Sequence, residues 1–398
     1  MNFVTLLLKK QKTQSLKEYQ FNKKIAILGG GQLGKMLLQS GSKLGLDISI
    51  MDTDKTFPAA SISPNFVCGD IRNYEDVLHF GMEADIITIE IENVHLEALE
   101  ELERRGKKVY PQPAVLKMIR DKGLQKMFYE GNHFPSSDFS LYKDKTEILE
   151  GVREGNIKIP FVQKLRTDGY DGRGVCVVRS IKDVQNLLEG PSLVEDLVDI
   201  DKEIAVIVAK NSSGDLKVFP AVEMQFHPTA NLVEFLFCPS SIDAKTAEIV
   251  EQLASDIAKS FDIIGLLAVE MFVDSKGKVW VNEVAPRPHN SGHHTIEANI
   301  TSQYEMHLRA ILDIPLGSTD IIRPAVMVNL LGEPGYSGDA VYENIESCLA
   351  LDGVYPHIYG KKETRPYRKM GHVTVVNKLL TEAIEKARFV QKTLKVIS

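Results

Sequence analysis

Two glutamates, Glu270 and Glu283, stand in stretches of sequence that are otherwise dominated by Val, Met, Phe and Trp. If these stretches are adjacent strands, the two carboxylates face each other, and like charges in that position destabilise a sheet. A divalent cation between them would remove the repulsion, because Mg²⁺ binds one or two protein carboxylates together with phosphate oxygens and water. The pair therefore predicts a metal site. The alternative is that one glutamate turns to solvent at the edge of a hairpin.

The residues between the two glutamates predict the hairpin that would bring them together. Asp274–Lys278 is a turn sequence flanked by alternating apolar residues. A two-residue turn at Lys276-Gly277 would fix the register of the strands. The two glutamates then lie directly opposite each other, as do Trp280 and Val273.

A second group of residues suited to chemistry lies near the N-terminus, in residues 23–52. This stretch predicts a strand, a glycine loop, a helix and a second strand. Gly29, Gly31 and Gly34 fit the spacing G-x-G-x-x-G, and Asp52 follows about 20 residues further on, as in dinucleotide-binding domains. Taken alone, the pattern fits NAD binding, and it fits equally well glycines that only allow tight packing of a strand against a helix.

A third group begins at Lys164, on a predicted strand that leads into the glycine-rich stretch Thr167–Gly174. The stretch also contains Asp168, Asp171 and Arg173. Backbone N–H groups of such a loop can face a phosphate, although a hairpin turn without a chemical role could be equally rich in glycine.

The elements that would position these groups fall into three regions. Residues 23–116 predict a Rossmann-like α/β domain, and residues 117–198 predict a small α+β subdomain with the glycine-rich loop at its tip. Residues 199–398 predict a larger subdomain of hairpins and helices, while residues 1–22 are an N-terminal extension outside the core. In chain order, a lysine, a glycine loop, an acidic strand and two facing carboxylates indicate a site for a nucleotide and a metal ion.

Composition limits the function classes. The 398-residue chain has a net charge of −7, which argues against a broad nucleic-acid surface. The apolar run at residues 3–8 is too short to span a membrane, and its lysines follow it instead of preceding it as in a signal peptide. The four cysteines are widely spaced and form no C-x-x-C motif, which favours reduced thiols. We therefore expect a cytoplasmic protein. The cysteines are Cys68, Cys176, Cys238 and Cys348.

These residues together resemble the ATP-grasp enzymes. The resemblance rests on the Lys164 strand, DGYDGRG (168–174), VEDLV (194–198), Glu203 and the glutamate pair. Four stretches further resemble one branch of that family, the 5-(carboxyamino)imidazole ribonucleotide synthases: ILGGGQLGKML, GYDGRG, NEVAPRPHNSGHHT and KKETRPYRKMGH. The match covers about residues 23–378. Asp168 and Tyr367 depart from the pattern, since glycine is common at both places.

The resemblance implies an ATP-grasp fold preceded by a Rossmann-like N-terminal domain that does not bind NAD but helps to form the ribonucleotide site. It implies ATP-dependent carboxylation of 5-aminoimidazole ribonucleotide by bicarbonate, through carboxyphosphate, in purine biosynthesis. The products are 5-carboxyaminoimidazole ribonucleotide, ADP and phosphate. The implied metal is Mg²⁺, with Mn²⁺ as a possible substitute, and the implied assembly is a homodimer.

The resemblance also assigns roles to residues. Glu270 and Glu283 would bind the metal, and the glycine-rich loop would close over the phosphates. The residues that would bind ATP are Lys122, Lys164, Gly169, Tyr170, Asp171, Gly172, Arg173, Gly174, Glu195, Asp196, Leu197, Val198, Glu203, His227, Asn282 and Glu283.

Further roles concern the reaction and the ribonucleotide. Tyr170 and Asp171 would lie near the reacting atoms, and Arg287 and His289 would bind bicarbonate, phosphate or substrate oxygens. A zinc site at His289, His293 and His294 lacks a further cysteine or carboxylate ligand. The residues expected to contact the ribonucleotide are Gln32, Leu33, Asn290, Ser291, Lys361, Arg365, Arg368 and Lys369.

Three other functions stay open from the sequence. The first is another ATP-grasp carboxylase or ligase, such as a biotin carboxylase or a formate-dependent ribonucleotide transformylase. The second is an NAD-dependent oxidoreductase built on the Gly29 loop, which leaves the glutamate pair unexplained. The third is a non-catalytic nucleotide sensor.

Overall fold

The computed structural model describes residues 21–167, 169 and 174–398. The predicted N-terminal extension, residues 1–22, therefore lies almost entirely outside the described residues. Where the chain is described, no helix is long and apolar enough to cross a membrane.

The first region is a parallel α/β domain, as predicted. Its sheet has the strand order β3-β2-β1-β4-β5, with parallel pairing throughout. This order brings the carboxyl ends of β1, β2 and β4 together at one edge, where open parallel sheets bind ligands. The elements are β1 (Lys24–Leu28), α1 (Gln32–Ser42), β2 (Asp47–Asp52), a 3₁₀ turn (Pro58–Ser61), β3 (Phe66–Cys68), α2 (Tyr74–Met82), β4 (Ile86–Ile89), α3 (Leu96–Arg104) and β5 (Lys108–Tyr110).

Two helices, α4 (Pro113–Arg120) and α5 (Lys122–Gly131), lead into the small subdomain. Its antiparallel sheet has the order β6-β9-β7-β8. The pairing of β7 with β9 sets Lys164 opposite Leu193 and Val162 opposite Glu195, so the charged residues of the two strands are diagonal neighbours on one face. The elements are β6 (Phe139–Tyr142), α6 (Lys145–Glu154), β7 (Phe161–Leu165), β8 (Val175–Val178), a 3₁₀ turn (Ile181–Asn186) and β9 (Ser192–Asp196).

The large subdomain is built on an antiparallel sheet with the order β15-β14-β10-β12-β13-β16-β21-β19, to which β11 adds at β10. Helix α7 covers one face with Val250, Ala254 and Ile257, all fully buried. Its first elements are β10 (Ile200–Lys210), β11 (Leu216–Val218), β12 (Val222–Phe226), β13 (Val233–Cys238), α7 (Ala244–Ser260), β14 (Gly265–Asp274) and β15 (Val279–Ala285).

The C-terminal part extends the same sheet through β16, β21 and β19. Two short two-stranded sheets, β17 with β20 and β18 with β22, flank it. The remaining elements are a 3₁₀ turn (Asn290–Gly292), α8 (Thr295–Ala298), α9 (Gln303–Ile311), β16 (Ala325–Leu331), β17 (Gly338–Asp339), β18 (Val341–Glu343), α10 (Ile345–Leu349), β19 (Val354–Ile358), β20 (Glu363–Thr364), β21 (Lys369–Val376), α11 (Leu380–Thr393) and β22 (Lys395–Ile397).

The first domain and the large subdomain share a hydrophobic core. Tyr304, Leu308 and Ile311 of α9 are buried in one cluster with the residues of β1 and α1. His307 of the same helix bonds through its Nε2 to the Thr88 hydroxyl of β4 at 2.9 Å. This packing fixes the ligand-binding edge of the first domain against the large subdomain.

Buried histidines should make stability depend on pH. Burial lowers the pKa of His307 to about 3 and that of His294 to about 4, whereas the unfolded chain protonates near pH 6.5. The unfolded state then binds more protons as the pH falls, so stability present above pH 6.5 is lost below it. We expect each such histidine to lower the free energy of unfolding by about 2 kcal/mol between pH 7.5 and 5.

Urea denaturation of wild type and the His307→Gln variant at both pH values tests this prediction. Between pH 7.5 and 5, the free energy of unfolding of the variant should fall by about 2 kcal/mol less than that of wild type. The matched change at the exposed His79 should leave the wild-type pH dependence intact. Equal losses in wild type and His307→Gln would contradict the prediction.

Candidate functional site

The hairpin of β14 and β15 pairs Glu270 with Glu283, which confirms the predicted juxtaposition. The predicted register near the turn is wrong, because Trp280 pairs with Phe272 and not with Val273. The loop has three residues instead of two. The Asp274 carboxylate accepts bonds from the N–H groups of Lys276 and Lys278, both at 2.9 Å, and Gly277 supplies the positive φ of 78° that closes the turn.

A β-bulge between Glu270 and Met271 restores the pairing of the glutamates. Val279, Val281 and Val284 are buried in the core. The first two are separated by two positions, as in a regular strand, but the last two are separated by three, because the bulge adds one residue. Asn282 and Glu283 consequently lie on the same side of the strand, where regular alternation would have separated them. The bulge thus places an amide and a carboxylate together in the site.

The two facing carboxylates differ in electrostatic environment. Burial raises the pKa of Glu270 to about 8, with Glu283 and Glu203 contributing in the same direction. Lys122, which pairs with Glu283, lowers the pKa of Glu283 to about 2. The site thus holds one carboxylate that ionises unfavourably without a nearby cation, and a divalent cation fits this pair.

Within the described ranges, no group of three or more His, Cys, Asp or Glu residues is gathered to hold a metal ion. A cation held by Glu270 and Glu283 would leave its other positions to phosphate oxygens, water or an amide such as that of Asn282. That division of ligands is typical of Mg²⁺ bound with a nucleotide.

The lysines that face this hairpin come from two other elements. Lys164 of β7 lies 2.5 Å from Glu195 Oε1 and donates to Asn282 Oδ1 at 2.8 Å. Lys122, the first residue of α5, pairs with Glu283. Both contacts join the hairpin to elements that precede it by more than 100 residues, so the cleft forms where the subdomains meet.

Local capping holds Lys122 in place. The Asp121 carboxylate accepts from Gly123 N at 2.8 Å and so caps α5. It also forms a bidentate pair with Arg166, at 2.9 and 2.6 Å. Arg166 follows the strand that carries Lys164, and its carbonyl accepts from Lys122 N at 2.9 Å. One short network therefore sets the spacing of the two lysines.

Sequence reasoning missed Lys126, which lines the same cleft as Lys122, Lys164 and Glu283. It stands four residues after Lys122 in α5 and thus on the same helix face. That spacing was the available signal. The Lys126 ammonium lies 3.2 Å from Glu195 Oε2, and the residue as a whole is only 3% exposed.

The other predicted nucleotide residues surround this cleft. Glu203 of β10 has its pKa raised to about 7 by burial. Asp196 ends β9, and Leu197 and Val198 connect it to β10, which is the passage between the subdomains. His227 accepts from Ala230 N at 3.2 Å and contacts the Tyr367 ring edge-on, with centroids 5.8 Å apart.

The segment after Glu283 returns towards the first domain. Arg287 donates to Glu92 Oε2 at 2.8 Å, and His289 Nε2 lies 3.6 Å from Glu270. Ser291 is fully buried, and its hydroxyl lies 2.9 Å from His289 Nδ1. These residues form a line from the glutamate pair to the edge of the parallel sheet.

Asn290 lies in the same segment, and its side chain forms a reciprocal amide pair with Asn329 of β16. The two bonds measure 3.0 and 2.9 Å. Contact of Asn290 or Ser291 with a substrate remains a prediction, and both side chains have partners within the protein.

The glycine loop of the first domain is filled by the chain's own carboxylates. Glu90 accepts from Gly31 N and from Gly34 N, both at 2.6 Å, and Asp52 accepts from Gly30 N at 2.7 Å. These N–H groups are the ones that would bind a pyrophosphate at the start of a helix. A dinucleotide would have to displace the buried Glu90, so the loop is not built for NAD.

The residues that precede the basic segment 361–369, which is predicted to contact the ribonucleotide, lie against this domain. The Lys35 ammonium of α1 donates to Ile358 O at 3.2 Å and to Tyr359 O at 3.1 Å. Gln32 and Leu33 begin the same helix, and Leu33 is buried. The structure therefore places the first turn of α1 beside the chain that leads into the basic segment.

Within the segment, Lys361 donates to Lys369 O and Arg368 donates to Glu363 O, both at 2.7 Å. The loop is also bonded to Gly332, which donates to Arg368 O at 2.9 Å and accepts from Tyr367 N at 2.8 Å. Arg365 is exposed. The basic residues are thus held on a loop that is tied to the end of β16.

Tyr367, one of the two departures from the family pattern, has a φ of 63°. This left-handed conformation explains why glycine suits the position. Glycine has no Cβ to clash with the backbone in this conformation. We therefore expect the free energy of unfolding of Tyr367→Gly to exceed that of Tyr367→Ala by about 1 kcal/mol. Both variants lose the ring contact with His227, so urea denaturation of the pair isolates the backbone effect. Alanine as stable as glycine would contradict it.

The glycine-rich loop lies partly outside the described residues, which exclude Asp168, Tyr170, Asp171, Gly172 and Arg173. The described ends of the loop are close together: a side chain at Gly174 would come within 2.9 Å of Gly169 Cα. Gly174 has a φ of 78°, and its carbonyl accepts from Leu165 N at 2.8 Å.

Comparisons with known proteins match three family models along the chain. They are a ribonucleotide synthetase preATP-grasp domain at residues 22–120, an ATP-grasp domain at 127–304 and a phosphoribosylaminoimidazole carboxylase C-terminal domain at 325–386. Our predicted boundaries at 116 and 198 remain predictions.

The chain is also similar to named relatives. It is 35% identical to an N5-carboxyaminoimidazole ribonucleotide synthase from Synechococcus elongatus, over 88% of this chain and 89% of that protein. It is 33% identical to a chloroplastic phosphoribosylaminoimidazole carboxylase from Vigna aconitifolia, over 90% of this chain, and spans 64% of that relative's length.

Solved structures resemble the chain over most of its length. The N5-carboxyaminoimidazole ribonucleotide synthetase from Thermotoga maritima is 40% identical with a TM-score of 0.86, covering 94% of this chain and 99% of that one. The synthase from Aspergillus clavatus, in complex with ADP and 5-aminoimidazole ribonucleotide, is 29% identical with a TM-score of 0.85 at the same coverage.

Fold and site together define an ATP-grasp enzyme with a preATP-grasp domain, and the predicted fold class is confirmed. Since relatives above 30% identity are matched over most of their length, the finer resemblance is confirmed as well. The chain belongs to the N5-carboxyaminoimidazole ribonucleotide synthase family.

Proposed function

We propose that this protein uses ATP to carboxylate 5-aminoimidazole ribonucleotide with bicarbonate in purine biosynthesis. The products are 5-carboxyaminoimidazole ribonucleotide, ADP and phosphate. The observation that carries the proposal is the meeting of the Glu270–Glu283 pair with Lys122 and Lys164 in one cleft, in a member of this family.

The nucleotide occupies the cleft between the subdomains. Lys122 and Lys164 contact its phosphates as point charges, and the glycine-rich loop at 169–174 covers them. The backbone of 195–198 meets the adenine, while Glu203 bonds the ribose hydroxyls and His227 completes the site. The position of 195–198 at the passage between subdomains supports this assignment.

Glu270 and Glu283 hold Mg²⁺ or Mn²⁺, with Asn282 beside them. The ion, when bound, neutralises charge on the phosphate oxygens during phosphoryl transfer. The pKa of Glu270, raised by burial and by the facing Glu283, supports a carboxylate pair that is completed by a cation.

The reaction begins when a bicarbonate oxygen attacks the γ-phosphorus of ATP and ADP leaves, which gives carboxyphosphate. Carboxyphosphate breaks into CO₂ and phosphate, and the exocyclic amine of the ribonucleotide adds to the CO₂ carbon and loses a proton. The chain contributes mainly position and charge. Arg287 binds bicarbonate or the released phosphate, and His289 bonds substrate oxygens. Tyr170 and Asp171 lie near the reacting atoms, where Asp171 orients the amine or accepts its proton.

The ribonucleotide lies between the first domain and the C-terminal loop. Lys361, Arg365, Arg368 and Lys369 bind its 5′-phosphate. The start of α1 at Gln32 and Leu33, together with Asn290 and Ser291, faces the rest of the molecule. The bonds from Lys35 to Ile358 O and Tyr359 O support this arrangement, because they hold α1 beside the chain that leads into the C-terminal loop.

Acceptor-dependent phosphate release tests the proposal. With ATP and bicarbonate, 5-aminoimidazole ribonucleotide should stimulate release of phosphate, whereas biotin, or formate with a ribonucleotide, should not. Stimulation by one of the other acceptors would favour another ATP-grasp ligase, and ATP binding without any stimulation would favour a sensor. Quenching of NADH fluorescence would support the oxidoreductase alternative, against which the Glu90 contacts argue.

The proposal extends to the cellular setting. We propose a homodimer located in the cytoplasm, acting on small molecules and not on nucleic acid or membranes. Sedimentation equilibrium at micromolar concentration tests the assembly, and a monomer across that range would contradict it.

A further inference from the structure

Lys126 is buried beside the cleft and uses its whole ammonium group on protein partners. It donates to Ser137 O at 2.7 Å and to Ser137 Oγ at 2.9 Å, and it lies 3.2 Å from Glu195 Oε2. An ammonium has three N–H donors, so these three acceptors account for all of them. With 3% exposure, Lys126 has no donor left for a ligand.

Glu195 connects Lys126 to the residue that faces the nucleotide. Its Oε1 lies 2.5 Å from the Lys164 ammonium, and its Oε2 accepts from the Ser137 hydroxyl at 2.9 Å. Burial raises the pKa of the Glu195 carboxyl, but Lys164 and Lys126 outweigh that effect and lower it overall. One ionised carboxylate therefore lies between two lysines.

The charges of this cluster, defined as Lys126, Glu195 and Lys164, do not cancel. Burial lowers the pKa of Lys126 from its ordinary value, and Glu195 opposes that shift. With both lysines protonated, two ammonium groups and one carboxylate leave one net positive charge. Lys164 has two acceptors among the described residues, Glu195 and Asn282, which leaves one of its N–H groups for a ligand. The surplus charge is thus presented to the cleft at Lys164.

We propose that Lys126 is a positioning residue for nucleotide binding, which acts by sharing Glu195 with Lys164 so that a positive charge remains for the phosphates. This inference rests on the proposed nucleotide site. Without Lys126, the buried carboxylate would pair with Lys164 alone, and the cluster would be neutral. Attraction between buried charges is strong because the surroundings screen them weakly.

A purely structural role for Lys126 predicts different behaviour. In that case Lys126 only supplies hydrogen-bond donors to Ser137 and Glu195, and replacing Glu195 as well would weaken ADP binding further. In the charge-sharing role, neutralising Glu195 in the Lys126→Met background restores one net positive charge at Lys164. The double variant therefore separates the two roles.

Calorimetric titration with ADP and Mg²⁺, in the absence of ribonucleotide, is the test. Lys126→Met should weaken ADP binding at least about tenfold, the scale of one charge-assisted contact. The double variant Lys126→Met/Glu195→Gln should recover to within about threefold of wild type. Lys117→Met, which removes an exposed lysine of the preceding helix, is the matched control and should bind ADP as wild type does.

The salt dependence of ADP binding and the single variant Glu195→Gln provide two further tests of the charge-sharing role. Binding by Lys126→Met should depend less steeply on KCl concentration than binding by wild type, since one positive charge no longer attracts the phosphates. If Lys126→Met does not fold, Glu195→Gln alone should bind ADP at least as tightly as wild type, whereas weaker binding would overturn the proposal.

Unchanged affinity in Lys126→Met, or a double variant no better than the single one, would also overturn it. Failure of wild type to bind ADP would instead contradict the nucleotide site itself.

Discussion

Replacing Glu283 or Glu270 by glutamine is expected to lower turnover at least about 100-fold, because each change weakens a metal-held charge neutralisation worth several kcal/mol. Glutamine keeps the size of the side chain and removes only the charge. Turnover is measured as phosphate release stimulated by 5-aminoimidazole ribonucleotide. The Mg²⁺ concentration for half-maximal rate should rise in both variants, which distinguishes loss of the metal from a general defect.

The two variants should differ in stability. Glu270→Gln removes a buried carboxyl whose ionisation is opposed by burial and by the facing Glu283, so its free energy of unfolding in the metal-free protein should equal or exceed that of wild type. Glu283→Gln loses the pair with Lys122 and should be the less stable of the two. Glu248→Gln, at an exposed position on α7, is the matched control and should be fully active. Near-normal turnover in both site variants would refute the metal assignment.

The pairing of these glutamates could be predicted because hairpin register follows from local sequence. The prediction succeeded although one of its steps was wrong. The turn is one residue longer than expected, and the bulge at Asn282 shifts the strand back by one residue. Asn282, the extra residue at the bulge, accepts a hydrogen bond from Lys164 across the cleft. Such contacts are not contained in the sequence of the hairpin.

The glycine loop shows a different limit of sequence reasoning. Its spacing is that of a dinucleotide-binding domain, and only the partner of its N–H groups decides its role. That partner, Glu90, stands at the end of β4, 56 and 59 residues away from the glycines it contacts. The parallel pairing of β1 with β4 brings it there. A local motif therefore cannot distinguish an anion site from a site already filled by the protein.

The lysines illustrate why nearby residues are easier to predict than their partners. Lys122 and Lys164 were assigned through the family resemblance, and Lys126 follows Lys122 by one helical turn. What assigns different roles to them is Glu195, which two of them share. The sharing arises from the diagonal placement of β7 and β9 residues and from the packing of α5 beside that sheet. It is a property of the assembled fold.

Replacing Arg368 by alanine is expected to raise the KM for 5-aminoimidazole ribonucleotide at least about tenfold, since a charge-assisted hydrogen bond contributes roughly 1.5–3 kcal/mol. Arginine presents a planar fork of donors that matches phosphate geometry. In the structure, Arg368 is held in its loop by its bond to Glu363 O and by the bond from Gly332 N to its carbonyl. A loop fixed in advance loses less entropy on binding.

The same change should leave the nucleotide site intact, because Arg368 bonds to Glu363 O and Gly332 N, whereas the cleft is lined by residues of α5, β7, β9 and β15. Tyr367, whose ring contacts His227 of the nucleotide site, is kept in this variant. ATP affinity, measured by calorimetry without ribonucleotide, should stay within about twofold of wild type. Arg388→Ala, at an exposed position on α11, provides the matched control and should alter neither quantity. If ATP affinity fell and the ribonucleotide KM did not move, Arg368 would belong to the nucleotide site and the phosphate-binding role of the 361–369 segment would be wrong.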